Sequence, residues 1–322
     1  MPTIVFVPGR QADPRDWPRR LEQDAPGWTA VVPETSPDAV AAALAEADAA
    51  FGTLTPPLLA AAPRLRWLQA PAANPPEGYF SPELVEHPVA VTNFAGIYDD
   101  HIGTHVMACL LALARRLDVY AAQQARHEWR PSGGDDDVLH LPGATALVVG
   151  VGGIGSEVAR LCAAFGMQVL GVDARRTQPP PGVAELHGPD ALDALLARAD
   201  VVVNAVPHTP ATVGLFDAAR FARLRRGALY VTIGRGATTS LDALVAALAD
   251  GRLGGAALDV FETEPLPPEH PLWDAPRTII TPHVAGYGPH LDERRYALLA
   301  DNARRLTAGE PLRNLVDKAT WF

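Results

Sequence analysis

Short apolar runs rich in β-branched residues alternate with Ala/Leu-rich segments of helical period along almost all of this 322-residue chain. That alternation limits the fold more than any other feature. Residues 3–7, 29–32, 67–70 and 89–92 read as strands, with helices between them over 38–47, capped by Ser36 or Asp38, and over 56–61. One helical pattern spans 100–127, and the stretch 130–142 reads as loop. From Ala144 the alternation tightens. Strands are expected at 146–149, 168–172, 201–205, 228–233, 255–260 and 278–281, and helices at 153–165, 190–198, 216–224, 240–250 and 291–308. Strands that are apolar on both faces and separated by helices form a parallel sheet covered on both sides. The fold class is therefore α/β, a Rossmann-type doubly wound parallel sheet. At roughly 100–200 residues per domain, a chain of this length suggests two domains.

Composition excludes several function classes. Hydrophobic residues make up 48% of the chain and charged residues 20%, an ordinary globular balance. Asp plus Glu number 37 against 27 Lys plus Arg, giving a net charge of -10. A protein that tracks phosphates needs a basic face, so no nucleic-acid partner is expected. The longest apolar run, 106–114, stops at Arg115-Arg116, far short of the ~20 residues that span a bilayer. The opening Ile4-Val5-Phe6-Val7 is too short for a signal-peptide core. Together these features predict a cytoplasmic protein with no membrane partner. Cys109 and Cys162 lie in apolar helical stretches and read as core residues.

Gly150-Val151-Gly152-Gly153-Ile154-Gly155 matches G-x-G-x-x-G, a weak signal by itself. Its setting strengthens it: a strand precedes it, a helix follows, and Asp173 stands about 20 residues on. Gly150 permits the tight turn, Gly152 lets backbone approach a pyrophosphate, and Gly155 lets helix and strand pack closely. Gly153 and Ile154 open the helix, whose N-terminal N–H groups face the phosphates. Asp173 is expected to accept from the adenosine ribose, favouring NAD over NADP. Arg175 and Arg176 could instead hold a 2′-phosphate, or be solvated loop residues, so NADP stays open.

Three further features fall at the ends of later strands, where open α/β sheets bind ligands. They are Thr232-Ile233-Gly234-Arg235-Gly236, Leu258-Asp259-Val260-Phe261-Glu262-Thr263-Glu264-Pro265 and Thr281-Pro282-His283. Arginine offers a planar fork for a substrate carboxylate. Histidine can donate a proton as hydride arrives, and a carboxylate steadies the imidazolium.

With these residues the chain resembles the D-isomer-specific 2-hydroxyacid dehydrogenase family, over about residues 93–286. The resemblance rests on the glycine motif, Asp173, Val206-Pro207-His208-Thr209-Pro210-Ala211-Thr212, Ile233-Gly234-Arg235-Gly236, Asp259 to Pro265, and Thr281-Pro282-His283. It implies that Arg235 binds substrate, Glu264 is the carboxylate partner and His283 the acid/base. It also implies that Asp259 contacts the nicotinamide side, that Val206, Pro207, Thr212 and Ile233 line the cofactor, and that Ala73, Asn74 and Gly96 contact substrate. The family further implies a flavodoxin-like substrate domain from 1–99 plus 287–322, a cofactor domain over 100–286, and a homodimer joined through the cofactor domain.

Departures from the family pattern bear on substrate identity. A loop ending in a Gly-Val-Asp-like sequence, whose N–H groups hold the substrate carboxylate, is replaced by Ala72-Ala73-Asn74-Pro75-Pro76. Pro75 has no N–H to give, and the Asn74 side chain is a candidate replacement. Gly103-Thr104-His105 replaces an Ala-Glu-His pattern, and Thr232 stands where Asn is common. Glu262 competes with Glu264 for the carboxylate role. Asp135 to Asp137 read as a solvated loop, and His101 and His105 share a helix face without a third ligand, so no metal is expected. Trp129 and Tyr287 are expected to pack at a hinge. The expected activity is reduction of small 2-oxo acids to (R)-2-hydroxy acids with NAD(P)H. The alternative is a dehydrogenase-like NAD-binding regulator with little turnover.

Overall fold

A computed structural model describes residues 1–9, 16–73, 78–131, 133–134 and 137–320. The expectations placed on Asn74, Pro75, Pro76, Asp135 and Asp136 lie outside the described residues. The chain divides into two compact units, Met1–Ile97 with Pro289–Phe322, and Tyr98–Gly288.

In chain order the first unit contains β1 (Thr3–Phe6), α1 (Trp17–Asp24), β2 (Thr29–Val31), α2 (Pro37–Leu44), β3 (Ala49–Phe51), α3 (Pro56–Ala60), β4 (Trp67–Gln69), α4 (Pro82–Glu86) and β5 (Ala90–Thr92). The second contains α5 (Asp99–Ala114), α6 (Leu117–Ala125), β6 (Thr145–Val149), α7 (Gly153–Ala164), β7 (Gln168–Val172), β8 (Glu185–His187), α8 (Leu192–Leu196), β9 (Val201–Asn204), α9 (Ala218–Arg223), β10 (Ala228–Thr232), α10 (Leu241–Ala249), β11 (Leu253–Leu258) and β12 (Thr278–Ile280). The last helix, α11 (Leu291–Ala308), returns to the first unit.

The first unit is a five-stranded parallel sheet of order β2-β1-β3-β4-β5. Its core is aromatic: Trp17 packs on Phe51, Phe94 and Tyr296 with ring centroids 5.5, 6.4 and 6.1 Å apart. Tyr296 lies on α11, so the C-terminal helix completes this core. Trp28 fastens the same helix, its indole N–H donating to the Ala303 carbonyl at 3.1 Å and to Thr307 Oγ1 at 2.9 Å. Burying an aromatic side chain of this size contributes about 1.5–3 kcal/mol, and Trp17, Trp28 and Tyr296 together favour the docking of α11 on this core.

The second unit is a seven-stranded parallel sheet of order β12-β11-β10-β9-β6-β7-β8. Alternate residues of one strand serve opposite faces: Leu147 and Val149 belong to one buried cluster, Ala146 and Val148 to the other. Both faces are thus covered, as the unbroken apolar strands require. The winding direction reverses between β6 and β9, which are neighbours in the sheet although β7 and β8 separate them in sequence.

Four elements differ from the sequence expectation. The helix expected over 100–127 breaks at Arg115-Arg116, where Arg116 takes a left-handed backbone with φ of 58°. The strand β3 is Ala-Ala-Phe and shows no β-branched signal, yet every residue in it is buried between β1 and β4. The edge strand β8 carries polar Glu185 and His187, and α1 buries only Trp17 and Leu21. Ser36 caps α2, its hydroxyl accepting from Ala39 N–H at 3.2 Å. Trp129 and Tyr287 are exposed at 100% and 76%.

Candidate active site and dinucleotide cradle

The reversal between β6 and β9 opens a crevice at the C-terminal ends of both strands, and the glycine motif sits in it. Gly150 has φ of +90°, and a Cβ there would lie 2.9 Å from the Ala205 carbonyl carbon and oxygen. A Cβ on Gly155 would lie 1.9 Å from Gly150 O, so only glycine lets α7 start this close to β6. Gly153 makes room for the Asp99 carboxylate, whose Oδ2 would be 2.3 Å from an added Cβ. At Gly152, by contrast, an added Cβ meets nothing within 4 Å. Gly152 is also the N-cap of α7 and provides no side chain to satisfy the first N–H groups. Open space next to unsatisfied helix donors fits a pyrophosphate. These residues therefore suit a dinucleotide.

Asp173 follows β7 and closes the cradle. Its Oδ2 accepts from Val151 N–H at 2.8 Å, and its Oδ1 from Arg175 and Arg176 N–H, both at 2.9 Å. Burial would raise this carboxyl, but the three backbone donors and the Arg175 charge outweigh it and hold the group below the ordinary aspartate value. Arg176 ties back to the glycine turn, donating from Nε to Val151 O at 2.9 Å. Arg175 is exposed beside it. Val206 and Ile233 are buried, at the ends of β9 and β10. The turn containing Pro207 is closed by Thr212, whose hydroxyl donates to Pro207 O at 2.6 Å.

The structure brings Arg235, Glu264 and His283 together within the second unit. Arg235 is flanked by two close backbone approaches: a Cβ at Gly234 would lie 2.3 Å from Val206 O, and one at Gly236 would lie 1.8 Å from Phe261 O. The loop after β10 is thereby wedged between those after β9 and β11. Burial pulls the Arg235 guanidinium below its ordinary value, and the nearby Glu264 carboxylate opposes that shift. Glu264 accepts from Phe261 N–H through Oε1 at 3.0 Å and pairs through Oε2 with His283 Nδ1 at 2.7 Å. Glu262 turns elsewhere and accepts from Leu241 N–H at 3.4 Å. Geometry thus separates the two glutamates that compete in the sequence.

Asp259 is 3% exposed, and both its oxygens are engaged by the loop that carries His283. Oδ1 accepts from Thr281 Oγ1 at 2.6 Å and Val284 N–H at 2.8 Å, and Oδ2 from Ala285 N–H at 2.9 Å. Sequence reasoning missed two supports. One is Thr281 itself. The other is Asn204, fully buried, which donates to Thr238 Oγ1 at 2.8 Å while Thr238 donates to Arg235 O at 2.7 Å. A polar residue closing the apolar run Val-Val-Val-Asn was the available signal.

In the first unit, Ala73 and Gly96 lie beyond the ends of β4 and β5. Asn93 links these segments, its amide donating to Ala73 O at 2.8 Å and its side-chain oxygen accepting from Ala95 N–H at 3.0 Å. Among the described residues no group of three or more His, Cys, Asp or Glu could hold a metal. No described helix is long and apolar enough to cross a membrane. Burial pushes the Cys109 and Cys162 thiols up to about 11 and about 12, as suits core residues.

A doubly wound sheet with this cradle at its switch point places the second unit among dinucleotide-binding domains. A sequence profile described as "D-isomer specific 2-hydroxyacid dehydrogenase, NAD binding domain" matches residues 107–285, more than half of the chain. The chain belongs to that family, which makes it an NAD(P)-dependent oxidoreductase. It is 35% identical over 213 residues to glyoxylate/hydroxypyruvate reductase A of Serratia proteamaculans (strain 568), a stretch covering 66% of this chain and 66% of that one. A D-isomer specific 2-hydroxyacid dehydrogenase from Xanthobacter autotrophicus Py2, solved with NADPH and MES, superposes with a TM-score of 0.85 at 29% identity, covering 100% of this chain and 99% of that one. The NADPH-dependent glyoxylate/hydroxypyruvate reductase from Sinorhizobium meliloti, solved with NADP and sulfate, gives 0.83 at 29% identity, with 100% of both chains covered.

Proposed function

We propose that the protein reduces small 2-oxo acids of glyoxylate and hydroxypyruvate size to (R)-2-hydroxy acids. The observation that carries this reading is the contact of His283 Nδ1 with Glu264 at 2.7 Å, close to Arg235. With Nδ1 committed to the carboxylate, Nε2 is the nitrogen left to give a proton to the substrate carbonyl oxygen. Glu264 is held in turn by Phe261 N–H, so it orients the imidazole and balances the charge on it. Arg235 binds the substrate carboxylate and polarises the adjacent carbonyl. A bound reduced nicotinamide supplies the hydride. Gly150, Gly152, Gly153, Ile154 and Gly155 hold the pyrophosphate, and Val206, Pro207, Thr212 and Ile233 line the rest of the dinucleotide.

Asp173 gives NADH the advantage over NADPH, and Arg175 and Arg176 narrow it. By the family resemblance the first unit is the substrate domain, and Ala73, Asn74 and Gly96 are its substrate-contacting residues. The active protein is a cytoplasmic homodimer joined through the second unit, where Leu117, Tyr120 and Trp129 are exposed at 53%, 39% and 100%.

The test is a panel of 2-oxo acids assayed by loss of reduced-nicotinamide absorbance, with NADH and NADPH side by side and His283→Ala in parallel. Turnover of glyoxylate or hydroxypyruvate, abolished by His283→Ala while NADH affinity persists, is the expected result. Tight NADH binding with no oxidation across the panel would refute the enzyme in favour of a dinucleotide-binding regulator.

A further inference from the structure

Behind Asp259 the hydrogen bonds continue. Thr281 Oγ1 lies 2.6 Å from Asp259 Oδ1 and 3.1 Å from His105 Nε2, on α5. A hydroxyl has one proton, and an ionised carboxylate can only accept. The Thr281 proton therefore goes to Asp259, and His105 must donate from Nε2 to Thr281. A directed chain results, running from the His105 ring N–H through the Thr281 hydroxyl to the Asp259 carboxylate. That carboxylate also holds the N–H groups of Val284 and Ala285, the two residues after His283. His283 itself has φ of 55°, a left-handed backbone that costs about 1–3 kcal/mol in a residue other than glycine and persists only where its surroundings fix it.

We propose that His105 and Thr281 are positioning residues, which orient Asp259 so that it clamps the backbone behind His283 and fixes where the imidazole points. The relay rests on the assignment of His283 as proton donor. It adds two residues outside the set of Arg235, Glu264 and His283: one on a helix 178 positions upstream of His283, the other in the Thr-Pro-His turn. Without the Thr281 hydroxyl, His105 loses its acceptor and Asp259 its shortest donor, and the 283–285 turn relaxes toward ordinary backbone angles.

The test combines kinetics with amide exchange on the full chain. Thr281→Val removes the hydroxyl without changing the shape of the side chain. His105→Leu removes the ring donor, and His105→Gln restores an N–H at a similar reach. Thr281→Val is expected to lower kcat on the order of tenfold, the loss typical of one hydrogen bond to a buried charge, with KM for the dinucleotide within about twofold of wild type. His105→Leu should lower kcat several-fold and His105→Gln recover most of it. Exchange at the Val284 and Ala285 amides should speed up about tenfold in Thr281→Val while α7 is unchanged. Unaltered exchange at both amides, or equal acceleration throughout the second unit, overturns the relay. So does a His105→Gln variant no better than His105→Leu. If His283→Ala keeps its turnover, the acid assignment fails, and amide exchange still judges the clamp by itself.

Discussion

Gly236→Ala tests how Arg235 is held. An alanine Cβ there would lie 1.8 Å from Phe261 O and 1.9 Å from its carbonyl carbon, where real contacts essentially never fall below 3.0 Å. Neither neighbour is a flexible side chain that could swing away. Either the Arg235 loop or the loop leading to Glu264 must move by more than about 1 Å. A misplacement of that size can cost about a hundredfold in rate even when it starts outside the reacting atoms. Overpacking typically costs about 1–3 kcal/mol, which in a domain of this size lowers Tm by roughly 3–10 °C. Steady-state reduction of glyoxylate, dinucleotide binding by fluorescence and thermal unfolding by circular dichroism would be measured together. The expected outcome is a loss in kcat/KM of at least about a hundredfold, a modest fall in Tm and NADH binding close to wild type. Gly188→Ala serves as control, because an added Cβ there meets nothing within 4 Å. A Gly236→Ala enzyme within threefold of wild type would show that the wedge does not place Arg235.

Arg175→Ala should raise KM for NADPH about tenfold and leave that for NADH nearly unchanged, since only the former offers a 2′-phosphate; equal effects on both would remove Arg175 from cofactor choice. Asp173→Asn should lower Tm at neutral pH, and the sign of its pH dependence follows from the depressed carboxyl. The contribution of an aspartate held below its ordinary value of 3.8 is complete above that pH and is lost as pH falls from there through the lower folded value. The Tm gap between wild type and Asp173→Asn should therefore close on acidification below the ordinary value. A gap constant across that range would mean that the three N–H contacts do not favour the ionised form.

The fold was legible wherever burial on both faces leaves an uninterrupted apolar run, as in β6, β7, β9 and β10. It was not legible where neighbours in space decide the structure. The residues Ala49-Ala50-Phe51 become a central strand only because β1 and β4 offer backbone on either side. The break at Arg116 has no glycine or proline to announce it. In the site, Arg235, Glu264 and His283 could each be found because they follow strands directly. The family motif favours Glu264 over Glu262 as the partner of the histidine, but residue type and position after β11 alone do not distinguish them. Which of them pairs with it depends on the turn after β11, which sends Glu262 to Leu241 N–H and Glu264 to His283.

The same distinction separates the reactive side chains from the residues that hold them. Arg235 and His283 are each steered through the main chain. Thr238 holds the Arg235 carbonyl and is itself held by Asn204, and Asp259 holds the amides that follow His283. Side chains positioned in this way owe their placement to partners that the sheet order brings together across β9, β10, β11 and the turn after β12. A hydroxyl or amide in such a role is chemically ordinary in the sequence. It becomes meaningful only when a neighbouring strand aims it at a backbone group that burial leaves without water. Substituting Thr238 should therefore change rate while cofactor affinity holds, because it acts on the orientation of Arg235 and makes no part of the cradle formed by β6 and α7.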